Sequence, residues 1–250
     1  MRLHYTLRVT LTLLLALGAA ALCVALRTPL PWMIGPLVVT AVASMAGAPT
    51  ESWAPLRNGG QWVIGAALGL YFTPQVMALV ASLWWAILLA IAWALMLGVS
   101  FAAVLYRLHA PRLAGVAPDA MRATAFFAGA VGGASEMTLL AERVGARTDL
   151  VAAAHSLRLM VVVLVIPFGL QASGLTAVDV TSPGPRIVHP FGLLALGVCT
   201  VAGALVMQRL GRANPWFMGS LVVAMGFTMA GITLSAIPAA LSNAAQLVIG

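Results

Sequence analysis

The sequence predicts an all-α fold, a polytopic membrane helical bundle built from two repeats, of which the second is incomplete. Hydrophobic residues make up 62% of the chain and charged residues only 8%, whereas a soluble domain carries about 25% charged residues. Apolar runs long enough to cross a bilayer recur along the chain, such as Leu11–Leu26 and Gln75–Tyr106. A segment that begins at Pro31 also returns at Pro215, which indicates an internal duplication.

The duplication keeps a nearly constant register. Residues 31–39 (PWMIGPLVV) match residues 215–223 (PWFMGSLVV) at an offset of 184, which becomes 185 after one extra residue. Glycine and amide positions match as well, namely Gly47 with Gly231, Asn58 with Asn243, and Gln61 with Gln246. A period this long excludes a solenoid and is typical of secondary transporters. We therefore predict a first membrane repeat over 1–171, a linker over 172–190 and the start of a second repeat over 191–250.

The first helix is predicted over Thr10–Leu26, as an uncleaved signal anchor. A cleaved signal peptide is the alternative, because basic residues precede the apolar run and Ala20-Ala21 resembles a cleavage site. The apolar run continues to Leu26, however, and another membrane segment follows at once. We therefore expect this helix to remain in the mature protein.

The later elements are predicted from apolar runs and from the positions of proline and glycine. A second helix spans 31–47 and starts with proline, which the first helical turn accepts. An interfacial loop follows over 48–57, and the Gly-rich segment 58–72 is either half of a broken helix or a tilted span. The longest apolar helix is expected over 75–108, and further apolar spans cover 151–170, 191–207 and 216–241.

The positive charges bear on orientation. The net charge of +7 comes from arginines scattered between apolar segments, which fits the positive-inside rule rather than a nucleic-acid-binding face. With a cytoplasmic N-terminus, four spans return the loop of Arg107 and Arg112 to the cytoplasm. A single crossing by residues 119–145 would place Arg143 and Arg147 outside. We favour a segment that dips in and returns, because both arginines then stay inside. The two repeats then also have opposite orientations, as in inverted-repeat transporters.

The stretch 124–137 (TAFFAGAVGGASEM) is the first candidate site. Gly132 and Gly133 weaken helix continuity, and Ser135 and Glu136 follow directly. A charge at membrane depth costs about 3 kcal/mol on insertion scales, so it usually has a partner or a role. We predict a discontinuous helix whose exposed backbone binds a substrate or an ion, with Ser135 as N-cap of the second half-helix. The alternative is an interfacial turn with Glu136 facing water.

His155 and Arg158 form the second candidate group, because a spacing of three residues places them on one face of a helix. Arg158 lies within an apolar span, where a lone charge is disfavoured, and its expected partner is Glu136 or Glu142. A histidine near a carboxylate is suited to carrying protons. The alternative is that both basic side chains snorkel to the membrane interface.

Asn58 and Gln61 form the third group, together with their counterparts Asn243 and Gln246. Their recurrence suggests a paired, pseudo-symmetric site, whereas the alternative is that these amides only bridge neighbouring helices. We expect no metal and no cofactor, since no His, Cys, Asp or Glu grouping has the spacing of a metal site. The chain has no lysine, which excludes a P-loop, and we expect no enzymatic activity.

Taken together, these motifs resemble the duplicated module of the AbrB-type membrane proteins. The resemblance covers nearly the whole chain, and it rests on 30–37 (LPWMIGPL), 58–65 (NGGQWVIG), Thr73-Pro74, 125–127 (AFF), 132–137 (GGASEM) and 155–158 (HSLR). Members usually carry two complete copies of the module, whereas this sequence ends inside the second copy. Family labels include "ammonia monooxygenase" and "regulator", and one member's name links it to gene expression.

The resemblance implies a multi-pass protein of the bacterial inner membrane. Combined with the candidate sites, it leads us to expect a secondary-transporter-like permease for a small solute. The alternative is a membrane regulator or sensor that affects gene expression through partner proteins. The monooxygenase label finds no support, because the chain offers no evident metal ligands. Expected partners are the lipid bilayer and a small-molecule solute, but no nucleic acid, and a homo-oligomer is left open.

Overall fold

The protein is described by a computed structural model that covers residues 2–109, 117–174 and 187–249. Within these ranges the chain forms eleven α-helices and no strand, which confirms the all-α fold class. Arg112 and most of the predicted linker, 175–186, lie outside the described residues. The helices are α1 (Arg2–Ala25), α2 (Pro31–Met45), α3 (Ala54–Gly69), α4 (Pro74–Ser82), α5 (Trp84–His109), α6 (Pro118–Gly129), α7 (Ala134–Arg143), α8 (Thr148–Ala172), α9 (Pro190–Arg209), α10 (Pro215–Met229) and α11 (Ala239–Ile249).

The long helices have the length and composition of membrane spans. Among the described residues, four helices are long and apolar enough to cross a bilayer, and a bent pair of helices makes a fifth candidate. The four candidate spans are Tyr5–Ala25 in α1, Trp84–Leu108 in α5, and the whole of α8 and of α9. Large apolar side chains of α5, such as Trp93, Leu95 and Val99, are more than half exposed. A soluble domain rarely exposes so much apolar surface, so a membrane-type protein is indicated.

A predicted helix and a predicted apolar span are interrupted in the structure. The segment expected as one helix over 75–108 is divided at Leu83 into α4 and α5, although neither proline nor glycine marks this point. The apolar run 216–241 is divided as well, because α10 ends at Met229 and residues 232–238 are non-helical. Gly231 takes a left-handed φ of 74°, which ends the helical path without the strain that a Cβ would add.

The Gly-rich segment 58–72 belongs to a broken pair of helices. α3 and α4 are bent by 74° at the short break between them. Thr73 and Pro74 explain where the second helix begins: Pro74 is its first residue, and Thr73 Oγ1 accepts a hydrogen bond from Val76 N at 3.3 Å. Of the two alternatives left open by the sequence, the structure therefore has the broken helix.

The helices group into two compact units. Unit 1 comprises Met1–Ala81 and Pro167–Gly250, and unit 2 comprises Ser82–Ile166. Unit 1 thus contains α1–α4 and α9–α11, which belong to both sequence copies, whereas unit 2 contains α5–α7 and most of α8. The predicted repeat boundaries at residues 171 and 191 stay predictions.

In unit 1, helices of one sequence copy pack against helices of the other copy. α1 packs on α2, and the equivalent helices α9 and α10 pack on each other. Across the copies, α3 packs on α10, and α11, the equivalent of α3, packs on α2. Smaller contacts join α3 to α9 and, equivalently, α11 to α1. Each of these contacts has a counterpart when the copies are exchanged, so unit 1 has a pseudo-two-fold arrangement.

The two copies also share local backbone geometry. α2 and α10 both contain 15 residues and both begin with proline. Left-handed φ angles occur at equivalent positions in both copies. The pairs are Arg27 (53°) with Gly211 (63°), Leu30 (45°) with Asn214 (48°), and Gly47 (83°) with Gly231 (74°). Because left-handed non-glycine residues cost energy and are uncommon, their recurrence at equivalent positions shows that the duplication reaches the level of the backbone.

A hydrogen bond between α3 and α9 provides a test of packing in unit 1. Trp62 Nε1 donates to Thr200 Oγ1 at 2.9 Å, and Thr200, which is fully buried, donates to Leu196 O at 2.7 Å. We expect Thr200→Val to lower the free energy of unfolding by about 1 kcal/mol, since the indole N–H loses its acceptor. Unfolding in detergent micelles measures the change. Thr10→Val is the control, because its hydroxyl bonds only Thr6 O on an exposed helix face, and an equal loss there would contradict the prediction.

Candidate functional site

The predicted interruption around Gly132 and Gly133 is present in unit 2. α6 ends at Gly129 and α7 begins at Ala134, so residues 130–133 form a non-helical break. The N-cap of α7 is Gly133, with φ −66° and ψ 132°, and it makes no side-chain cap bond. The prediction that Ser135 is the N-cap is therefore wrong, because the extended backbone of Gly133 starts the helix before Ser135 is reached.

Glu136 lies in the first turn of α7, and its side chain is exposed. A carboxylate in this position is stabilised by the helix dipole. Its exposure agrees with the alternative in which Glu136 faces out at a helix start. The roles assigned from sequence to Gly132, Gly133, Ser135 and Glu136 in binding a solute or an ion stay predictions.

His155 and Arg158 come together on α8, and both contact the end of α6. The imidazole of His155 is 1% exposed, and its Nε2 lies 2.9 Å from Phe127 O. Arg158 Nη2 lies 2.8 Å from His155 Nδ1, and Arg158 Nη1 donates to Ala130 O at 3.1 Å. The two side chains thus form a connected pair that bonds two carbonyl oxygens at the break.

These contacts specify the protonation of the histidine. Phe127 O can only accept, so His155 Nε2 must donate its hydrogen. The guanidinium of Arg158 can only donate, so His155 Nδ1 must accept. The geometry therefore requires a neutral imidazole with its proton on Nε2. Such a ring is held in one orientation from both sides.

The partner expected for Arg158 is not the observed one. Among the described side chains, no ion pair joins Arg158 to Glu136 or Glu142, and the salt bridge of this unit joins Arg147 to Asp149 at 2.6 Å. The last carbonyl groups of a helix have no partner within it, and they attract donors and positive charge. Arg158 instead bonds the carbonyl oxygen of Ala130 and the ring of His155. Backbone oxygens leave no signal in the sequence, which is why Phe127 and Ala130 were missed.

The amide group of candidates lies in unit 1, where α3 crosses α11. The crossing point is at Gly60 and Ala245, since a Cβ at Gly60 would lie 3.1 Å from Ala245 O. These two residues are equivalent in the two copies, so the pseudo-two-fold relation passes through the crossing. The amides stand one or two residues from it and are all half-buried: Asn58 and Gln61 on α3, and Asn243 and Gln246 on α11. The structure thus brings the four amide positions to one crossing, while their role in binding stays a prediction.

The absence of metal and cofactor chemistry also stays a prediction. Within the described ranges, no group of three or more His, Cys, Asp or Glu side chains is placed to hold a metal ion. Cys23 and Cys199 are free thiols. The expectation that the chain is not an enzyme likewise stays a prediction.

Comparison with known proteins identifies the family. A family model described as "Transition state regulatory protein AbrB" matches residues 32–250. The uncharacterized protein YhjN of Bacillus subtilis (strain 168) is 30% identical over 145 residues, which cover 55% of this chain and 35% of YhjN. The chain therefore spans about a third of the length of that relative. No solved structure matches the present chain. Because the family match extends over most of a sequence with apolar, membrane-spanning helices, the chain belongs to the AbrB family of membrane-type proteins.

Proposed function

We propose that this protein is a secondary-transporter-like permease for a small solute, in the bacterial inner membrane. The observation that carries the proposal is the exchange of helices between the two copies in unit 1, with α3 on α10 and α11 on α2. In secondary transporters built from repeats, the solute site lies at the interface of the repeats, next to discontinuous helices. Here the crossing of α3 and α11 forms that interface, and α3 is followed by a sharp break.

The polar groups near the interface support this proposal. Asn58 and Gln61 on one side and Asn243 and Gln246 on the other offer both donors and acceptors, without a charge to desolvate. In unit 2, the neutral imidazole of His155 and the guanidinium of Arg158 bond the end of α6, so that the glycine-rich break beside it has a defined shape. Glu136 adds an ionisable group two residues after the start of α7. Coupling of transport to protons through Glu136 is part of the proposal.

Entrance counterflow in proteoliposomes tests the proposal with a panel of solutes from several chemical classes. Vesicles that contain the full chain are loaded with unlabelled amino acids, carboxylates, sugars, polyols or amides, and each labelled solute is added outside. We expect transient accumulation of at least one labelled solute, and none in protein-free vesicles. A panel without accumulation at acidic and alkaline pH would contradict the proposal.

Glu136→Gln tests the coupling. We expect the variant to insert normally and to lose the pH dependence of the flux, whereas the flux through the unmodified protein should change about tenfold or more between acidic and alkaline pH. Glu142→Gln is the matched control, because Glu142 is an exposed carboxylate of the same helix outside the break. Coupling through Glu136 is wrong if both variants keep the pH dependence.

The family description favours a second candidate function. It names a regulatory protein, which agrees with a membrane sensor or regulator that acts through partner proteins. In that case the polar clusters are structural, and the counterflow panel stays negative. Changed gene expression on deletion of the gene, with no flux, would establish this function in place of the permease.

A further inference from the structure

A cavity in unit 1 lies where the break between α3 and α4 meets the non-helical segment between α10 and α11. Its volume is about 420 Å³, within the range of about 300–1,000 Å³ that is usual for small-molecule sites. Its lining comes from the end of α3 and the break after it (Ala67, Leu70, Tyr71 and Thr73), from residues 233–237, and from Ile187, His189, Thr228 and Ser242. We name it the hydroxyl cavity.

The lining of the hydroxyl cavity offers both hydrogen-bond donors and hydrogen-bond acceptors. Thr228 Oγ1 donates to Ala224 O at 2.9 Å, so its lone pairs remain as acceptors. Thr73 Oγ1 accepts from Val76 N at 3.3 Å, so its hydrogen remains as a donor. Ser235, which is buried, accepts from His189 N at 3.1 Å and is held in place. A carboxamide or a hydroxyl, each of which donates and accepts, matches such a lining.

The described lining of the hydroxyl cavity lacks the four strongly charged residue types. Among the described residues that line it there is no Arg, Lys, Asp or Glu, and its titratable side chains are Tyr71 and His189. Its remaining lining is apolar, from residues such as Leu70, Leu234 and Ile237. A charged ligand would lose hydration here without meeting an Arg, Lys, Asp or Glu side chain among the described lining residues, which is unfavourable.

A second cavity, of about 300 Å³, shares part of this lining in the other copy, because residues 50–53 are the counterpart of 234–237. The second cavity is also lined by α1, Thr40 and the end of α11, whose counterparts do not line the hydroxyl cavity. It contains Glu51 and Arg57, whose equivalents in the hydroxyl cavity are Ser235 and Ser242. On one scaffold, a carboxylate and a guanidinium have thus been exchanged for two hydroxyls. The charge of the lining therefore differs where the backbone plan is the same.

We propose that the hydroxyl cavity binds a small uncharged molecule that joins an apolar body to a carboxamide or hydroxyl group. The proposal deepens the proposed function and rests on it for its biological meaning, since the cavity would be a solute site of the permease. Binding to the purified full chain can be measured without transport. Binding without any flux would overturn the permease, and flux of uncharged solutes without binding in this cavity would overturn the assignment of the cavity.

Benzamide, benzoate and benzamidine are matched probes, because they share one ring and differ in charge. With the full chain in detergent, saturation-transfer NMR is expected to show benzamide bound at least about tenfold more tightly than benzoate or benzamidine. Ser242→Arg introduces the residue found at the equivalent position, Arg57, and should weaken the binding of benzamide by about tenfold. Arg57→Ser, the reverse exchange in the second cavity, should leave benzamide binding unchanged.

A cysteine at the rim gives a measurement that does not depend on Ser242→Arg folding. Thr233 is exposed and lines the cavity. In a chain with Cys23→Ser and Cys199→Ser, benzamide should slow maleimide labelling of Thr233→Cys, and benzoate should not. Equal binding or equal protection by the charged probes, or no effect of benzamide on labelling, would overturn the proposal.

Discussion

Gly219→Ala is expected to lower the free energy of unfolding by about 3 kcal/mol, because α10 and α9 touch at this point through their backbones. A Cβ at Gly219 would lie 2.5 Å from Ala204 N and from Gly203 O. Neither is the end of a flexible side chain, so relief requires the two helices to move apart. Small residues at such crossings are what allow membrane helices to approach closely.

The measurement is equilibrium unfolding of the full chain in mixed detergent micelles, with a control in the same helix. Gly226 has open space where its Cβ would be, so Gly226→Ala should be neutral or should stabilise by up to about 1 kcal/mol through helix propensity. Gly35 is the counterpart of Gly219, and its Cβ would meet Ala19 O at 2.7 Å. Gly35→Ala should therefore destabilise as well. Equal effects of Gly219→Ala and Gly226→Ala would contradict the close approach.

Several features of unit 1 could be predicted because the same sequence motif occurs twice in the chain. The close contacts use the same residues in both copies: Gly35 on Ala20 in the first, and Gly219 on Ala204 in the second. Composition and the matched prolines also give the helix starts of α2 and α10. The exchange of α3 and α11 between the copies could not be predicted, since apolar faces of similar composition do not specify their partners.

The parts that sequence reasoning missed are governed by backbone groups. The division at Leu83 carries no proline or glycine, so the apolar pattern continues across it. The hydroxyl cavity depends on where two non-helical segments meet, and a serine such as Ser235 shows no unusual pattern in the sequence. Arg158 was expected to pair with a carboxylate, but its guanidinium bonds one carbonyl oxygen and the ring of His155, and these partners are available only because the end of α6 lies beside α8.

His155→Phe is expected to lower the free energy of unfolding by about 3 kcal/mol, although it keeps a ring of similar shape in a buried position. The phenyl ring can neither donate to Phe127 O nor accept from Arg158, so a carbonyl and a guanidinium lose a partner together. Arg158→Met should cost about 2 kcal/mol, since Ala130 O and the Nδ1 of His155 are then left without a donor. Ser156→Ala, between them on an exposed face, should stay within about 0.5 kcal/mol.

A double-mutant cycle separates a connected pair from two independent contacts. Once His155 is phenylalanine, Arg158 has lost one of its two observed bonds, so removing the guanidinium as well should cost less than it does in the unmodified protein. We expect a coupling of about 1–2 kcal/mol between His155→Phe and Arg158→Met in detergent-micelle unfolding. Additive costs would mean that each side chain bonds the end of α6 by itself. In that case the neutral imidazole held from both sides, and with it the defined shape of the break before Glu136, would have to be abandoned.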